Sequence, residues 1–491
     1  MNIARSLAKT CLPLLMAMPA ACSDEGSGPV VVSVIGERAD FARPLQRLPA
    51  PGAKLFLETT AQGLVAFDAT GDILPALAQR WIVEDDGRSY IFRLRRAFWA
   101  NGTRVTARDV APMLEMRIDA LRRIDPDGPL DAVDAVVPMT GEVIEIRLLA
   151  ARPQILQMLA QPQMAILSRD GGAGPYRAAR RGSALFLTPA DPPASADGDE
   201  DGPVPATQMR VLRAERSAMA IVRYRQGEAA LVLGGRFSDL PLLVSADIDR
   251  GEVRLDPVRG LLGLAVVGKD ALLDDDGVRA AINMAIDRSQ LPRYFPLGGW
   301  ETTDQLLPGQ LDLAAPIAPP PWSATPIDQR RIAARALVDR WRRDHGAPAA
   351  LRVALPNGPG ATLLFGLIRH DLAAIGLDAR RVGMADKADL LLIDEVAAYD
   401  SALWYLGRIG CVRAVHCDDQ ADALLHALGG AGSDEVRAAR LGEVAALVQA
   451  HNGYIPLGTP VRWSLVSPRL TGFSPSTRAR HPLNHLFRST N

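Results

Sequence analysis

Residues 58–110 read ETTAQGLVAFDATGDILPALAQRWIVEDDGRSYIFRLRRAFWANGTRVTARDV. Gly71-Asp72 and Asp86-Gly87 are turn dipeptides set between apolar or alternating runs, so the segment reads as strands with tight connections. Residues 79–83 and 89–95 form the arms of a hairpin around residues 84–87. Asn101-Gly102 makes a further turn. Thr106, with Asp109 three residues on, has the capping-box spacing that opens a helix running to about Arg122. A hairpin followed by a capped helix is thus the local unit.

The same stretch resembles the signature region of family 5 extracellular solute-binding proteins, the dipeptide-, oligopeptide- and nickel-binding group serving ABC importers. The matching pieces are Gln62-Gly63-Leu64, Leu74-Pro75-Ala76-Leu77-Ala78 with Trp81, Asp85-Asp86-Gly87, Phe92-Arg93-Leu94-Arg95, and Asn101-Gly102-Thr103 through Val110. Further along, Gly172-Ala173-Gly174-Pro175-Tyr176 resembles the family element where the chain returns between lobes. Residues 276–288 resemble its Val-Arg-x-Ala-Ile-Asn-x-Ala-Ile-Asp-Arg helix, and residues 454–457 with Val461-Arg462-Trp463 resemble its ending. The resemblance spans roughly residues 30–485. It lapses between about 188 and 236, where the family's Tyr-Trp pair is missing.

The resemblance implies a two-lobed, three-domain α/β fold of the periplasmic-binding-protein kind (type II, large peptide-binding class), with mixed sheets and a hinge. Its layout implies a lobe 1 core from residues 23–60, 165–263 and 455–491, a smaller β-rich domain at 61–164, and lobe 2 at 264–454. A chain of 491 residues is in any case too long for one compact core.

The formal net charge of −1 gives no electrostatic reason to expect nucleic acid as a partner. Lysine occurs only at Lys9, Lys54, Lys269 and Lys387, and the other basic residues are arginine. Arg5 and Lys9 precede an apolar run, and Pro19-Ala20-Ala21 precedes Cys22, so residues 1–22 read as an export signal. The Ala-Ala-Cys ending resembles a lipobox, although Pro19 stands where Leu is usual. Cys22 is therefore either lipidated or passed over by cleavage after another small residue. No later run reaches the roughly 20 apolar residues of a bilayer span. The expected location is the periplasm, with membrane attachment only through a lipid on Cys22.

Beyond the signature, residues 30–35 form a β-branched run that reads as a buried strand, and 144–148 alternate as a half-exposed one. Residues 190–206 lack apolar periodicity and read as a solvated loop. On the 276–288 helix Val278, Ile282, Ala285 and Ile286 make one apolar face, with Arg279, Asn283 and Asp287 elsewhere around it. Strand, helix and strand at 351–355, 361–375 and 377–382 argue a partly parallel sheet. A helix follows at 434–450 with Ser433 as its cap.

Sequence motifs for catalysis are lacking. Residues 263–269 spell G-x-x-x-x-G-K, yet Asp270 stands where a phosphate loop needs Ser or Thr, and the interior is strand-like. The chain is not expected to be an enzyme, and no cofactor or metal is expected. Cys411 and Cys417, six apart in an exported chain, most simply form a disulfide; with His416 they are alternatively short of a metal's usual four ligands.

For the ligand, the peptide-binding members resembled here place an Asp of a Gly-Trp-x-Ala-Asp-Tyr segment against the cargo's amino group, an ion pair strengthened as water is excluded. Residues 394–400 read Asp-Glu-Val-Ala-Ala-Tyr-Asp, with Ala398 in place of that Asp and Glu395 in place of the Trp. Asp400 or Asp394 takes over the anchor, or the ligand lacks an α-amino group. Candidate ligand-binding residues are Gln62, Tyr176, Asp394, Glu395, Tyr399, Asp400 and Trp404. The implied partners are a peptide or other small solute and the ABC permease and ATPase subunits. The implied role is capture of a peptide-like solute for import. Two readings stand beside it: a carrier for a metal chelate, opine or sugar derivative, and a surface lipoprotein without a transport role.

Overall fold

The computed structural model describes residues 28–42, 44–45, 50–169, 171–190, 204–309, 311–430 and 433–489. The export signal, Cys22 and most of the 190–206 loop lie outside the described residues.

Two large mixed sheets and one smaller antiparallel sheet carry the architecture. The first has seven strands in the order Tyr176–Arg181, Ala184–Pro189, Arg210–Glu215, Val30–Ile35, Leu231–Arg236, Arg462–Val466, Val253–Leu255. Val30–Ile35 lies inside it, parallel to both neighbours, with Val30, Val32 and Val34 at most 1% exposed. Ser33, on the other face, is also fully buried, and burial on both faces is what a valine-rich strand of this kind requires. The second sheet has five strands in the order Ala379–Val382, Leu351–Ala354, Leu390–Val396, Gly260–Val266, Tyr454–Gly458. Helices Asp276–Ala285, Ile327–His345 and Pro359–Ala374 pack with it through an apolar cluster containing Val278, Ile282, Val338, Leu364 and Leu372.

The third sheet orders Ala78–Glu84, Ser89–Leu94, Val143–Leu148 and Val133–Pro138. Its inner side chains Phe92, Leu94, Ile144 and Ile146 meet Val110, Leu114 and Ile118 of the helix Ala107–Arg122. Period-two and period-four apolar spacings thus bury one face of each element. Thr106 and Asp109 close the capping box at the start of that helix. The apolar cluster continues into Tyr399, Leu403, Trp404, Leu406 and Ile409, so this small domain also packs on the second lobe.

Among the described residues the chain passes between the two large sheets at residues 256–259 and 459–461 alone. Gly260–Val266 and Tyr454–Gly458 are adjacent strands of the second sheet, so the divisions expected at 263/264 and 454/455 fall in or at the edge of strands that belong to it. The helix expected over residues 276–288 ends at Ala285, and its polar side is buried too. Arg279 and Asn283 lie away from the apolar stripe yet are 0% and 3% exposed. They are held by polar partners: Arg279 donates to the carbonyls of Leu273 and His451, and Asn283 pairs with Asn452 and Arg288.

Candidate functional site

A cavity of about 580 Å³ lies between the two large sheets. From lobe 1 its wall takes Lys54, Glu58, Arg236 and Trp463, together with Arg462 and Asp256 beside the crossings. From lobe 2 it takes residues 391–398, Met384, Pro356 and Arg408. The C-terminal segment closes one side with Arg478, Arg480 and His481, and the small domain reaches it through Gln161 and Gln163. Such a volume falls in the ordinary range for a small-molecule site.

Local structure explains how these groups arrive. The helix Pro51–Thr60 begins with Pro51 at its first turn, buries Ala53 and Leu57, and leaves Lys54 and Glu58, one turn apart, on the cavity side. The strand Leu231–Arg236 delivers Arg236 at its end. Gly235 in that strand is fixed by sterics: a Cβ there would lie 2.1 Å from the Trp463 ring. Trp463 is 1% exposed and its indole N–H donates to the Arg236 carbonyl at 2.9 Å.

The segment 394–400, whose first five residues line the wall, is held by many polar contacts. Arg462 donates to Asp394 Oδ1 at 2.7 Å and to the Asp394 carbonyl at 3.0 Å, and Arg236 Nη1 lies 3.7 Å from Asp394 Oδ2. Arg478 donates to the Ala397 carbonyl at 2.9 Å and pairs with Asp400. Gln157 exchanges two hydrogen bonds with Asp400, at 3.2 and 2.8 Å. Arg480 pairs with Glu58 and donates to Gln161 Oε1 at 2.7 Å. Arg408 Nε stands 3.3 Å from Glu395 Oε2. Asp256 near the crossing is held by His481 at 3.1 Å and by the Ser476 N–H at 2.8 Å.

Electrostatically the wall is positive. Lys54 is exposed to the cavity, yet protein packs densely around it. Desolvation first, then the charges of Arg480, Arg236 and Arg462, push its ammonium pKa down to about 8. The guanidinium of Arg236 is lowered first by the neighbouring charge of Arg462 and then by burial. Crowding of like charges, together with the protein packed around the two groups, accounts for both directions.

Of the residues marked by sequence, Asp394 and Glu395 line the cavity. Asp394 faces arginines rather than open space, and Asp400 is likewise engaged. Tyr399 and Trp404 are 0% and 1% exposed. Tyr399 donates to Asp125 of the small domain at 3.3 Å, and Trp404 packs edge-on to Tyr405, so neither side chain reaches the cavity. Burying two large rings between domains outweighs leaving them in a polar loop. Tyr176 is 4% exposed and donates to the Leu483 carbonyl at 3.3 Å, beneath Arg210. Gln62 spends its amide N–H on the Ala173 carbonyl at 2.6 Å. The Gly-x-Gly spacing beside it has a packing cause: a Cβ on Gly172 or Gly174 would fall 2.3–2.4 Å from backbone atoms of Thr60. Cys411 and Cys417 are disulfide-bonded, which commits both sulfurs and leaves neither for a metal. Their neighbour His416 instead contacts His451 at 3.0 Å and Asp274 at 3.1 Å.

Sequence reasoning overlooked Lys54, Arg236, Arg408, Arg462, Arg478 and Arg480. A lysine in a chain that otherwise uses arginine was the one available signal. Among the described residues no helix is long and apolar enough to cross a membrane.

Comparison with known proteins agrees with this fold. The family model for bacterial extracellular solute-binding proteins, family 5 Middle, matches residues 72–199. The curated "Probable di/tripeptide-binding protein 5" of Pseudomonas aeruginosa (strain UCBPP-PA14) is 23% identical over 476 residues, covering 84% of this chain and 86% of the relative. Among solved structures, the Escherichia coli murein tripeptide binding protein MppA aligns with a TM-score of 0.77 at 17% identity, over 94% of this chain and 98% of that one. NikA from Brucella suis, in complex with Fe(III)-EDTA, aligns at 0.74 and 18%, over 93% and 100%. At these identities the structural likeness is one of fold, that of the type II periplasmic peptide-binding class.

Proposed function

We propose that this family 5 extracellular solute-binding protein captures a small solute in its interlobe cavity, outside the cytoplasmic membrane, and delivers it to the permease of an ABC importer. The observation that carries the reading is the cavity itself, walled by both lobes where the chain crosses only twice. A solute touching both walls favours closure by the difference in its affinity for the closed and open forms. The role needs no chemistry on the solute.

A short peptide is the first cargo to test, supported by the relative's name and by a volume suited to a few residues. A non-peptide solute is the second reading. It is favoured by Ala398 in place of the family's amino-anchoring Asp, and by the arginines that already engage Asp394 and Asp400. In either case the proposed contacts are Lys54, Arg236, Glu395 and Arg480.

Native mass spectrometry of the chain purified from its host tests capture, followed by small-angle scattering with and without solute. A co-purified solute and a contraction on its return are expected. A protein that carries nothing, and neither contracts nor gains thermal stability with any peptide, amine, chelate or acid, overturns the proposal.

A further inference from the structure

Carboxylates in and around the cavity are nearly all spoken for. Glu58 is held by Arg480, Asp394 by Arg462 with Arg236 alongside, Glu395 faces Arg408, Asp256 is bound to His481, and Asp400 just outside is bound to Arg478. The cations are not. Arg236 shares its carboxylate with Arg462, and Lys54 has neither an ion-pair nor a hydrogen-bond partner for its ammonium among the described residues. Glu58, one helical turn beyond Lys54, is turned to Arg480 instead.

Orphaned hydrogen-bond groups point the same way. The buried Nε atoms of Arg408, Arg478 and Arg480 lack acceptors, and among the described residues Gln163 Oε1 is the one buried side-chain acceptor of the wall left without a donor. Arg408 Nε is near Glu395 but not in hydrogen-bonding geometry. Lys54 also sits in the first turn of its helix, where the helix dipole already favours negative charge and a lysine adds to the positive field. A cluster of cations crowded along one cavity wall is stabilised by an anion that accepts hydrogen bonds from them.

We propose that the cavity selects anionic solutes, and that the Lys54 ammonium pairs with the solute's carboxylate or phosphate. The inference rests on the solute-capture reading above and names its substrate class. A free α-amino group on the solute is unnecessary, because Glu58, Asp256 and Asp394 are already held by arginine or histidine and the remaining wall carboxylate, Glu395, faces Arg408. The depressed ammonium pKa adds a signature: affinity for an anion falls as pH rises past about 8.

The test is calorimetric titration of the full-length protein, stripped of co-purified solute, with Glu-Glu, N-acetyl-Glu-Glu, glycerol 3-phosphate, Ala-Ala and Lys-Lys. Lys54→Gln and Lys54→Arg are carried in parallel. Tighter binding of an acidic probe, weakened roughly 10- to 100-fold by Lys54→Gln and largely retained in Lys54→Arg, supports the proposal. Equal affinity for Glu-Glu and its acetylated form identifies carboxylate as the recognised group, whereas binding of glycerol 3-phosphate alone identifies phosphate. Binding of Ala-Ala or Lys-Lys at least as tight as any acidic probe, unmoved by Lys54→Gln, overturns anion selection while leaving solute capture intact. Absence of binding by every probe, with no solute on the protein as isolated, overturns capture itself and this inference with it.

Discussion

Replacing Asp394 by alanine separates two roles for this residue. Asp394 sits on a strand of lobe 2 and is gripped by Arg462 of lobe 1, and both side chains are nearly buried, at 8% and 10% exposure. Removing one partner of a buried pair costs about 3–5 kcal/mol, because the other charge is left without compensation. Arg462 keeps the carbonyls of Val461 and residue 394 as acceptors, at 2.8 and 3.0 Å, which places the loss at the lower end. Arg236 is 42% exposed and 3.7 Å away, so solvent screening holds its share below about 1 kcal/mol. The expected loss is therefore about 3 kcal/mol, more than a hundredfold in the closed-to-open ratio if it falls wholly on the closed form. Small-angle scattering of the solute-free protein should show Asp394→Ala expanded, with a lower urea midpoint and a milder effect for Asp394→Asn. If instead Asp394→Ala kept its compactness and urea midpoint while losing solute binding, Asp394 would be a ligand anchor and the clasp argument would be wrong.

Three further outcomes are expected. Gly235→Ala should lose about 1–3 kcal/mol, because its Cβ would press on a Trp463 ring that cannot withdraw; an unchanged melting temperature would refute this. Alanine at both Cys411 and Cys417 should lower stability by about 2 kcal/mol, the value for so short a loop, and abolish the effect of dithiothreitol on unfolding; a variant still sensitive to the reductant would contradict it. His426, whose pKa is raised first by its hydrogen bond to Asp127 and then by Asp422, contributes stability that is complete below pH 6.5 and lost as pH rises through its higher folded value. Amide exchange at residues 124–128, corrected for intrinsic rates, should thus quicken above neutrality in the wild type and show no such step in His426→Gln.

What could be read from sequence was what is encoded locally. The capping box of Thr106 and Asp109, the cap at Ser433 and the alternation at residues 143–148 all depend on neighbours within four positions. The cavity does not. Lys54, Arg236, Arg462 and Arg480 are spread over more than four hundred positions, and nothing near any of them separates a cavity arginine from a surface one in an arginine-rich chain. Tyr399 and Trp404 misled for a related reason. The polar run ending at Ser401 looks like a loop, but Ser401 caps a helix, Ala402–Arg408, whose Leu403 and Leu406 draw both aromatics into the core.

The strand Leu231–Arg236 lies between Val30–Ile35, made some two hundred residues earlier, and Arg462–Val466, made more than two hundred residues later. Until residues 462–466 have followed it and paired, its second edge stays bare. Leu231 and Val232, which end fully buried, belong to an unpaired β-edge throughout that interval. Aggregation during overproduction should therefore begin at this strand, and slower, cooler expression or a chaperone that covers extended apolar segments should raise the yield of folded protein.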